Sequence, residues 1–534
     1  STTVTAAGTL LPASVLFGKA GSNLPHSLSA GWPGTQRTIE PAIHTNEPAI
    51  HTNEPAIHLG AQYYRAPFPR KKHWKDDLFQ MADSGMNTVQ FWVLWGWVEP
   101  SAGEFHFDDY DELIRLAGEA GLKVVISTIA AIQPLWIHRQ VPGSELVDNF
   151  GKKVISSNRE ETHFGITPGG CFDHSGVQER MDLFFRTVVN RYKTESHLHG
   201  WDVWNELRWG VNSDGLVCFC EHTVDKYHRW LKEHYQDLKD LNEQWNTRYI
   251  RWEDIRPPKV PRSPYTDDLF YGQFMMDRAS RHGWHRYEVV KSEDPGRAVT
   301  LHGGQPTPFF SGRYDPDHNL PRFPMWRGND WTFAEKVDAI GTSSFPKLFQ
   351  DDDLRKFTMR IDFTRSARSG KRIWMSELQG GRGNLGFQLA EPVRAAEQQR
   401  WVWTGISQGV DTILFWCWRD EVFGQESDGY GISGNDGFST ERLAAMKETG
   451  KVLGRERQLL SGFQPDKPKV GIWFGPRNYF LHWAQSKRGD QAMNAILGYA
   501  DALLKMKIPY RIVEENHLEE LEGLRVLFMP GTFV

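Results

Sequence analysis

The sequence predicts an α/β chain, a (β/α)8 TIM barrel followed by a partial flavodoxin-like α/β domain. Three observations carry this. Apolar, β-branched or aromatic runs recur through residues 58–462 and alternate with amphipathic helical stretches, as around a parallel barrel. Helices close on Gly and pass directly into strands at Asp83-Ser84-Gly85-Met86-Asn87 and Glu119-Ala120-Gly121-Leu122-Lys123. At 534 residues the chain exceeds one ordinary core, so a further domain is expected.

Residues 1 to about 38 are rich in Ser, Thr, Ala and Gly, with an apolar run from Leu10 to Phe17. They read either as the remainder of a secretory signal, without initiator or basic start, or as a disordered leader. The first alternative favours a secreted or periplasmic location over a cytoplasmic one. Copies of EPAIHTN then start at Glu40, Glu47 and Glu54, the last running into His58. A Pro in each copy forbids a continuous helix, so residues 1–57 form a low-complexity leader. Eight strands are expected next: His58–Tyr64, Thr88–Trp95, Lys123–Ala130, Gly200–Glu206, Val299–Gly304, Asp338–Phe345, Arg372–Gln379 and Asp411–Trp418. Helical stretches between them include Trp74–Ser84, Tyr110–Ala120, Gln178–Lys193, Val224–His234 and Ala395–Gln408.

The barrel pattern ends after Ser461, and a Pro-containing link leads to a second domain over residues 469–534. Its strands are Lys469–Phe474, Tyr510–Val513 and Leu524–Met529, with a helix at Asp490–Lys505. A three-stranded fragment leaves apolar faces poorly covered. Either the chain is truncated or a partner subunit covers the sheet.

A net charge of −5 and a pI near 6.5, with no basic run, argue against nucleic acid or an anionic membrane as partner. No apolar run reaches the roughly 18 residues of a membrane span. Four cysteines are too few for a disulfide framework. Cys218, Cys220 and His222 look like half a zinc site, but no second pair stands at ligand spacing, so no metal is expected. No cofactor is expected either. The 22 Trp can serve cores or sugar faces.

Two apolar runs end on carboxylates: His199–Glu206 (HGWDVWNE) on Glu206, and Arg372–Gln379 (RIWMSELQ) through Glu377. Carboxylates at the mouths of strands four and seven are the minimum equipment for cleaving a glycosidic bond. The acid must stay protonated, and Trp204 and Trp209 can desolvate Glu206. The nucleophile must stay ionised, and Gln379, Gly380, Gly381 and Arg382 give Glu377 a polar surrounding. The bland alternative is that each Glu caps a strand or pairs with an Arg. Of the strand-end tryptophans Trp92, Trp95, Trp136, Trp374, Trp416 and Trp418, about half should pack the barrel because strands alternate faces. Trp136 and Trp418 are assigned to the pocket. His302 and His58 suggest a metal hydrolase, but no His-x-His occurs on any strand.

From about His58 onward the chain resembles glycoside hydrolase family 42, the β-galactosidases. The resemblance rests on an ordered set: the opening strand with Pro69 and Trp74, then Trp95-Gly96-Trp97-Val98-Glu99-Pro100-Ser101-Ala102-Gly103-Glu104-Phe105. Asn205-Glu206, the turn at Cys218–Cys220, Leu241-Asn242-Glu243-Gln244-Trp245-Asn246-Thr247, the Glu377 strand and Phe415-Trp416-Cys417-Trp418-Arg419 complete it. It implies that Glu206 is the acid/base, Glu377 the nucleophile, and that configuration is retained. It further implies that Asn205 bonds the sugar 2-hydroxyl, that Arg159 and Glu426 bind sugar, and that the second domain packs subunits into a trimer. The chain departs from the family at Phe345, where many members carry a Tyr that donates to the nucleophile. Asp428, Gly429 and Tyr430 stand where a His is expected, no sugar-contacting Trp is evident over Gly380–Phe387, and Thr223 replaces a zinc ligand.

A retaining exo-β-glycosidase acting on a terminal β-linked sugar is therefore expected, β-galactosidase first. An arabinopyranoside, glucoside or mannoside glycone is the alternative, and a sugar-binding barrel without turnover is a third reading. The loops Gln140–His163 and Pro257–Asp268 would set the aglycone.

Overall fold

The computed structural model describes residues 54–154, 169–206, 217–259, 263–304, 328–367, 370–385, 388–422, 426–486 and 490–533, with short strand pieces at 15–17, 314–315 and 320–321. Eight parallel strands close a barrel in sequence order. They are β1 (His58–Arg65), β2 (Thr88–Leu94), β3 (Lys123–Ile129), β4 (Leu198–Asp202), β5 (Ala298–His302), β6 (Ala339–Ser344), β7 (Arg372–Gln379) and β8 (Thr412–Trp416). β8 returns to β1, pairing Thr412 with His58 and Phe415 with Ala61. Burial is unbroken along β1, β2 and β6, as expected of strands covered on both faces. β1 and β2 approach so closely that a Cβ on Gly60 would lie 1.7 Å from the Thr88 carbonyl oxygen; only glycine fits there.

The main helices are α1 (Trp74–Asp83), α2 (Asp108–Glu119), α3 (Ser175–Tyr192), α4 (Glu221–His234), α5 (Leu238–Trp245), α6 (Thr266–Glu293), α7 (Leu354–Ala367), α8 (Ala395–Ser407) and α9 (Ser439–Arg455). α6 takes in the end of the segment expected to be a loop over Pro257–Asp268. Its buried residues, among them Phe270, Tyr271, Met276, Ser280 and Arg286, lie on several faces. Such a helix shows no one-sided apolar stripe in the sequence. Among the described residues, no helix is long and apolar enough to cross a membrane.

After the barrel, α10 (Pro476–Ser486) and α11 (Asp490–Lys505) accompany the strands β9 (Val470–Phe474), β10 (Tyr510–Glu514) and β11 (Val526–Phe528). β9 is central and parallel to both neighbours. Val15–Phe17, from the apolar run read as a signal remnant or leader, pairs antiparallel with β11 as a fourth strand. The expected poorly covered sheet is packed against the barrel. Phe474 meets Trp331 and Phe363 with ring centres 5.8 and 6.3 Å apart. Ile512 N–H donates to Ser366 Oγ at 2.9 Å, and Asn329 Nδ2 donates to Glu514 Oε1 at 3.1 Å.

Candidate active site

β4 ends at Asp202, four residues before Glu206, and the chain turns so that Glu206 adopts φ +39°. That conformation is strained for any residue with a Cβ, and strain of this kind gathers at functional sites. Glu377 lies within β7, where the register shifts against β6 between Thr342 and Ser343 and against β8 between Met375 and Leu378. Such irregularities re-aim a side chain. Glu206 and Glu377 are 9% and 5% exposed. One oxygen of each and a ring nitrogen of His302 all lie within 4.8 Å of one another. Retaining glycosidases hold their carboxyl groups about 5–5.5 Å apart and inverting ones about 6.5–9.5 Å, so this spacing suits attack by one carboxylate rather than by an interposed water.

Hydrogen bonds hold Glu206 and brace the backbone beside Glu377. Ser343 Oγ lies 2.7 Å from Glu206 Oε1 and 2.7 Å from His302 Nε2, and His302 Nδ1 lies 2.8 Å from Asn205 Oδ1. His302 thus commits both ring nitrogens to Asn205 and Ser343. Beside Glu377, Gln62 Nε2 donates to the Ser376 carbonyl at 2.7 Å, and Trp92 Nε1 donates to Gln62 Oε1 at 2.6 Å. Deeper in the barrel, Asp202 accepts from Ser127 Oγ at 2.5 Å and Gln90 Nε2 at 3.2 Å. Burial nevertheless pushes its carboxyl up to about 6.

A cavity of about 690 Å³ opens on the β1/β8 side of the mouth, lined by Tyr63, Arg65, Trp92, Trp416, Arg419 and Glu421 among others. Its wall does not include Glu206 or Glu377. Glu426 reaches this wall, its Oε2 accepting from Arg65 Nη2 at 3.0 Å. Phe345 is buried at the end of β6, edge-on to Tyr430 with ring centres 5.9 Å apart. Trp136 and Trp418, assigned to the pocket from sequence, are 3% and 0% exposed, and neither lines this cavity. Trp136 donates to the Glu99 carbonyl at 2.8 Å. Trp92 and Trp416, 5.2 Å apart between ring centres, face the cavity instead. Arg159 lies outside the described residues.

The half zinc site gains a third sulfur. Cys171, which precedes α3, brings its Sγ within 4.8 Å of those of Cys218 and Cys220. Thr223 Oγ1 lies 3.4 Å from the Cys171 and Cys220 sulfurs and donates to Asp173 at 2.7 Å. Three sulfurs could share a soft metal ion, but among the described residues the set is one ligand short of a closed four-ligand zinc site. Arg278 Nη2 lies 3.7 Å from the Cys171 sulfur, and its Nε donates to Asp173 at 2.6 Å. No chemistry is assigned to a metal there.

Sequence reasoning missed Ser343, the Arg65–Glu421 pair and Cys171. Ser343 carried a usable signal, standing at the end of an expected strand like Glu206 and Glu377. Cys171 and Arg65 carried none, because their partners are far away in sequence.

With this geometry in hand, comparison with known proteins is direct. A β-galactosidase of a Geobacillus species is 27% identical over 89% of this chain and 67% of its own length. One from Halorubrum lacusprofundi is 26% identical over 74% of this chain and 55% of its own length. This chain thus spans from little more than half to about two thirds of these relatives. Among solved structures, the β-galactosidase of the psychrophilic Marinomonas ef1 superimposes with a TM-score of 0.73 at 21% identity, over 89% of this chain and 72% of the other. That likeness establishes the barrel fold. The sequence pattern of glycoside hydrolase family 42, described as Beta-galactosidase, matches residues 62–455. Spanning all eight barrel strands but the first residues of β1, and both carboxylates at their mouths, that match shows that the chain belongs to glycoside hydrolase family 42.

Proposed function

We propose that the protein is a retaining exo-β-glycosidase, β-galactosidase first, acting on terminal β-linked sugars of an oligosaccharide or simple glycoside. The observation that carries this is the pair Glu206 and Glu377, with oxygens within 4.8 Å at the mouths of β4 and β7. Glu377 attacks the anomeric carbon while Glu206 protonates the departing oxygen. Water, deprotonated by Glu206, then attacks from the face that the aglycone left and displaces Glu377, so that two inversions retain the configuration. Asn205 bonds the sugar 2-hydroxyl, Arg159 and Glu426 grip further hydroxyls, and Phe345 forms an apolar wall. The barrel over residues 58–462 carries the chemistry, and residues 469–534 form a second domain. Its order β10-β9-β11 supports a flavodoxin-like reading, and a homo-oligomer, a trimer by family likeness, is proposed on that domain.

Nitrophenyl β-galactoside, arabinopyranoside, glucoside and mannoside, tested with wild type and Glu377→Ala, examine this reading. One sugar should dominate in kcat/KM, and Glu377→Ala should lose on the order of a thousandfold or more. Azide should partly restore turnover with inverted product. The Phe345 side chain, which has no hydroxyl to donate to Glu377, motivates a second reading as a sugar-binding barrel. Calorimetric binding without turnover of any sugar would favour it.

A further inference from the structure

Three links connect Asn205 Oδ1 to His302 Nδ1 (2.8 Å), His302 Nε2 to Ser343 Oγ (2.7 Å), and Ser343 Oγ to Glu206 Oε1 (2.7 Å). The donors available restrict how protons can be arranged along them. An amide oxygen only accepts, so with Oδ1 facing the ring, Nδ1 carries a proton. If His302 is neutral, Nε2 is then a lone pair and Ser343 O–H donates to it. Glu206 must be protonated to donate to Ser343 Oγ. If Glu206 is instead a carboxylate, Ser343 O–H donates to it, Nε2–H donates to Ser343 Oγ, and His302 is an imidazolium. The two arrangements contain the same protons and differ by a shift of two along the chain. Each holds one proton more than a carboxylate beside a neutral imidazole. Releasing that proton with every link intact requires the Asn205 amide to turn over, so that Nδ2–H donates to a bare Nδ1.

We propose that His302 and Ser343 are positioning residues forming a proton reserve for Glu206, which shares its acid proton with the imidazole and couples its protonation to the orientation of Asn205. This rests on Glu206 being the acid/base. In the first step a Glu377 oxygen bonds to the anomeric carbon, the glycosidic C–O bond breaks, and the reserve proton leaves Glu206 for the departing oxygen. In the second, water oxygen bonds to that carbon, the bond to Glu377 breaks, and a proton of the water returns to Glu206. Asn205, its oxygen held by His302 before the first step, presents its amide N–H to the sugar. The ionisable groups around the chain are Glu377 on β7, Asp202 against the His302 backbone N–H, Asp330 beside Gly303, Arg286 over Trp204, and Tyr430 towards Glu377. Titration therefore belongs to the cluster, with His302 the group that the Ser343 hydroxyl joins to Glu206.

Ser343→Ala, Ser343→Thr and His302→Asn test this on two substrates. Dinitrophenyl β-galactoside has a leaving group that needs little protonation, whereas lactose needs a full proton. Ser343→Ala should lose roughly tenfold more kcat on lactose than on the dinitrophenyl substrate, with recovery in Ser343→Thr. His302→Asn should move the alkaline limb of kcat/KM on lactose to lower pH by about one unit, because the second proton site is gone. Equal losses on both substrates with an unmoved limb would overturn the reserve and leave a merely structural role. Full activity of Glu377→Ala on both substrates would overturn instead the assignment of roles to the two carboxylates, and with it the reserve.

Discussion

Arg65 sits 5.5 and 4.7 Å from the ring centres of Trp92 and Trp416. It donates to Glu421 through Nε at 2.9 Å and through Nη2, and to Glu426 at 3.0 Å. Burial pushes the Glu421 carboxyl up from its usual range, against the pull of Arg65. A buried pair of this kind adds little net stability, yet removing one partner strands the other. Arg65→Met should therefore cost about 3–5 kcal/mol in urea unfolding. The Arg65→Met/Glu421→Met double variant should lose markedly less than the two singles summed. An additive cycle would mean that Glu421 is not held by Arg65. The pair was invisible in the sequence because 356 residues separate its members. Glu206 and Glu377 were legible because each follows an apolar run whose end must face the barrel mouth. The choice between Trp416 and Trp418 was not, since the sequence does not say where β8 stops and its alternation of faces ceases.

At the scale of elements, all eight barrel strands were legible, because burial on both faces leaves continuous apolar runs. The expected end of β4, Glu206, lies four residues past Asp202, since Val203 and Trp204 continue the apolar run and still bond β5, Val203 N–H to the Thr300 carbonyl and the Trp204 carbonyl to His302 N–H. α6 was missed because a helix buried on several faces has no polar side to mark its period. The packing of strands around the site also makes a prediction. A Cβ on Gly341 of β6 would lie 2.5 Å from Ser376 Oγ and 2.8 Å from His302 Cα. Gly341→Ala therefore presses on β5 at His302 and on β7 one residue before Glu377. It should cost about 1–3 kcal/mol of stability and lower kcat more than it raises KM. Thermal unfolding beside steady-state kinetics reads both effects. Lost stability with unchanged kcat would show that the strand spacing is not transmitted to the carboxylates.

Across the whole molecule, the two ends of the barrel store opposite responses to pH. At its floor, His58 and His199 stack with ring centres 3.6 Å apart. Burial, with Arg372 and Lys123 nearby, lowers His199 to about 3 and His58 well below its ordinary value. An unfolded chain would protonate both below about pH 6.5, so their contribution to stability is present above that pH and lost as pH falls. Asp202, under the mouth, behaves in reverse. Its folded value of about 6 lies above the unfolded one, so its contribution is full below about pH 4 and lost as pH rises through 6. Between about pH 6 and 4 the two ends pull against each other, and the wild-type profile alone cannot separate them. Variants can. Relative to wild type, His199→Asn should gain about 1.4 kcal/mol of unfolding free energy per pH unit below 6.5, whatever fixed cost the lost stacking adds. Asp202→Asn should shift the other way, standing about 2–3 kcal/mol better against wild type at pH 7 than at pH 4. Urea unfolding from pH 7.5 to 4 measures both differences. Curves of both variants parallel to wild type would mean that neither group changes its protonation on folding, whereas opposite slopes would place acid sensitivity at the floor and its compensation beneath Glu206 and Glu377.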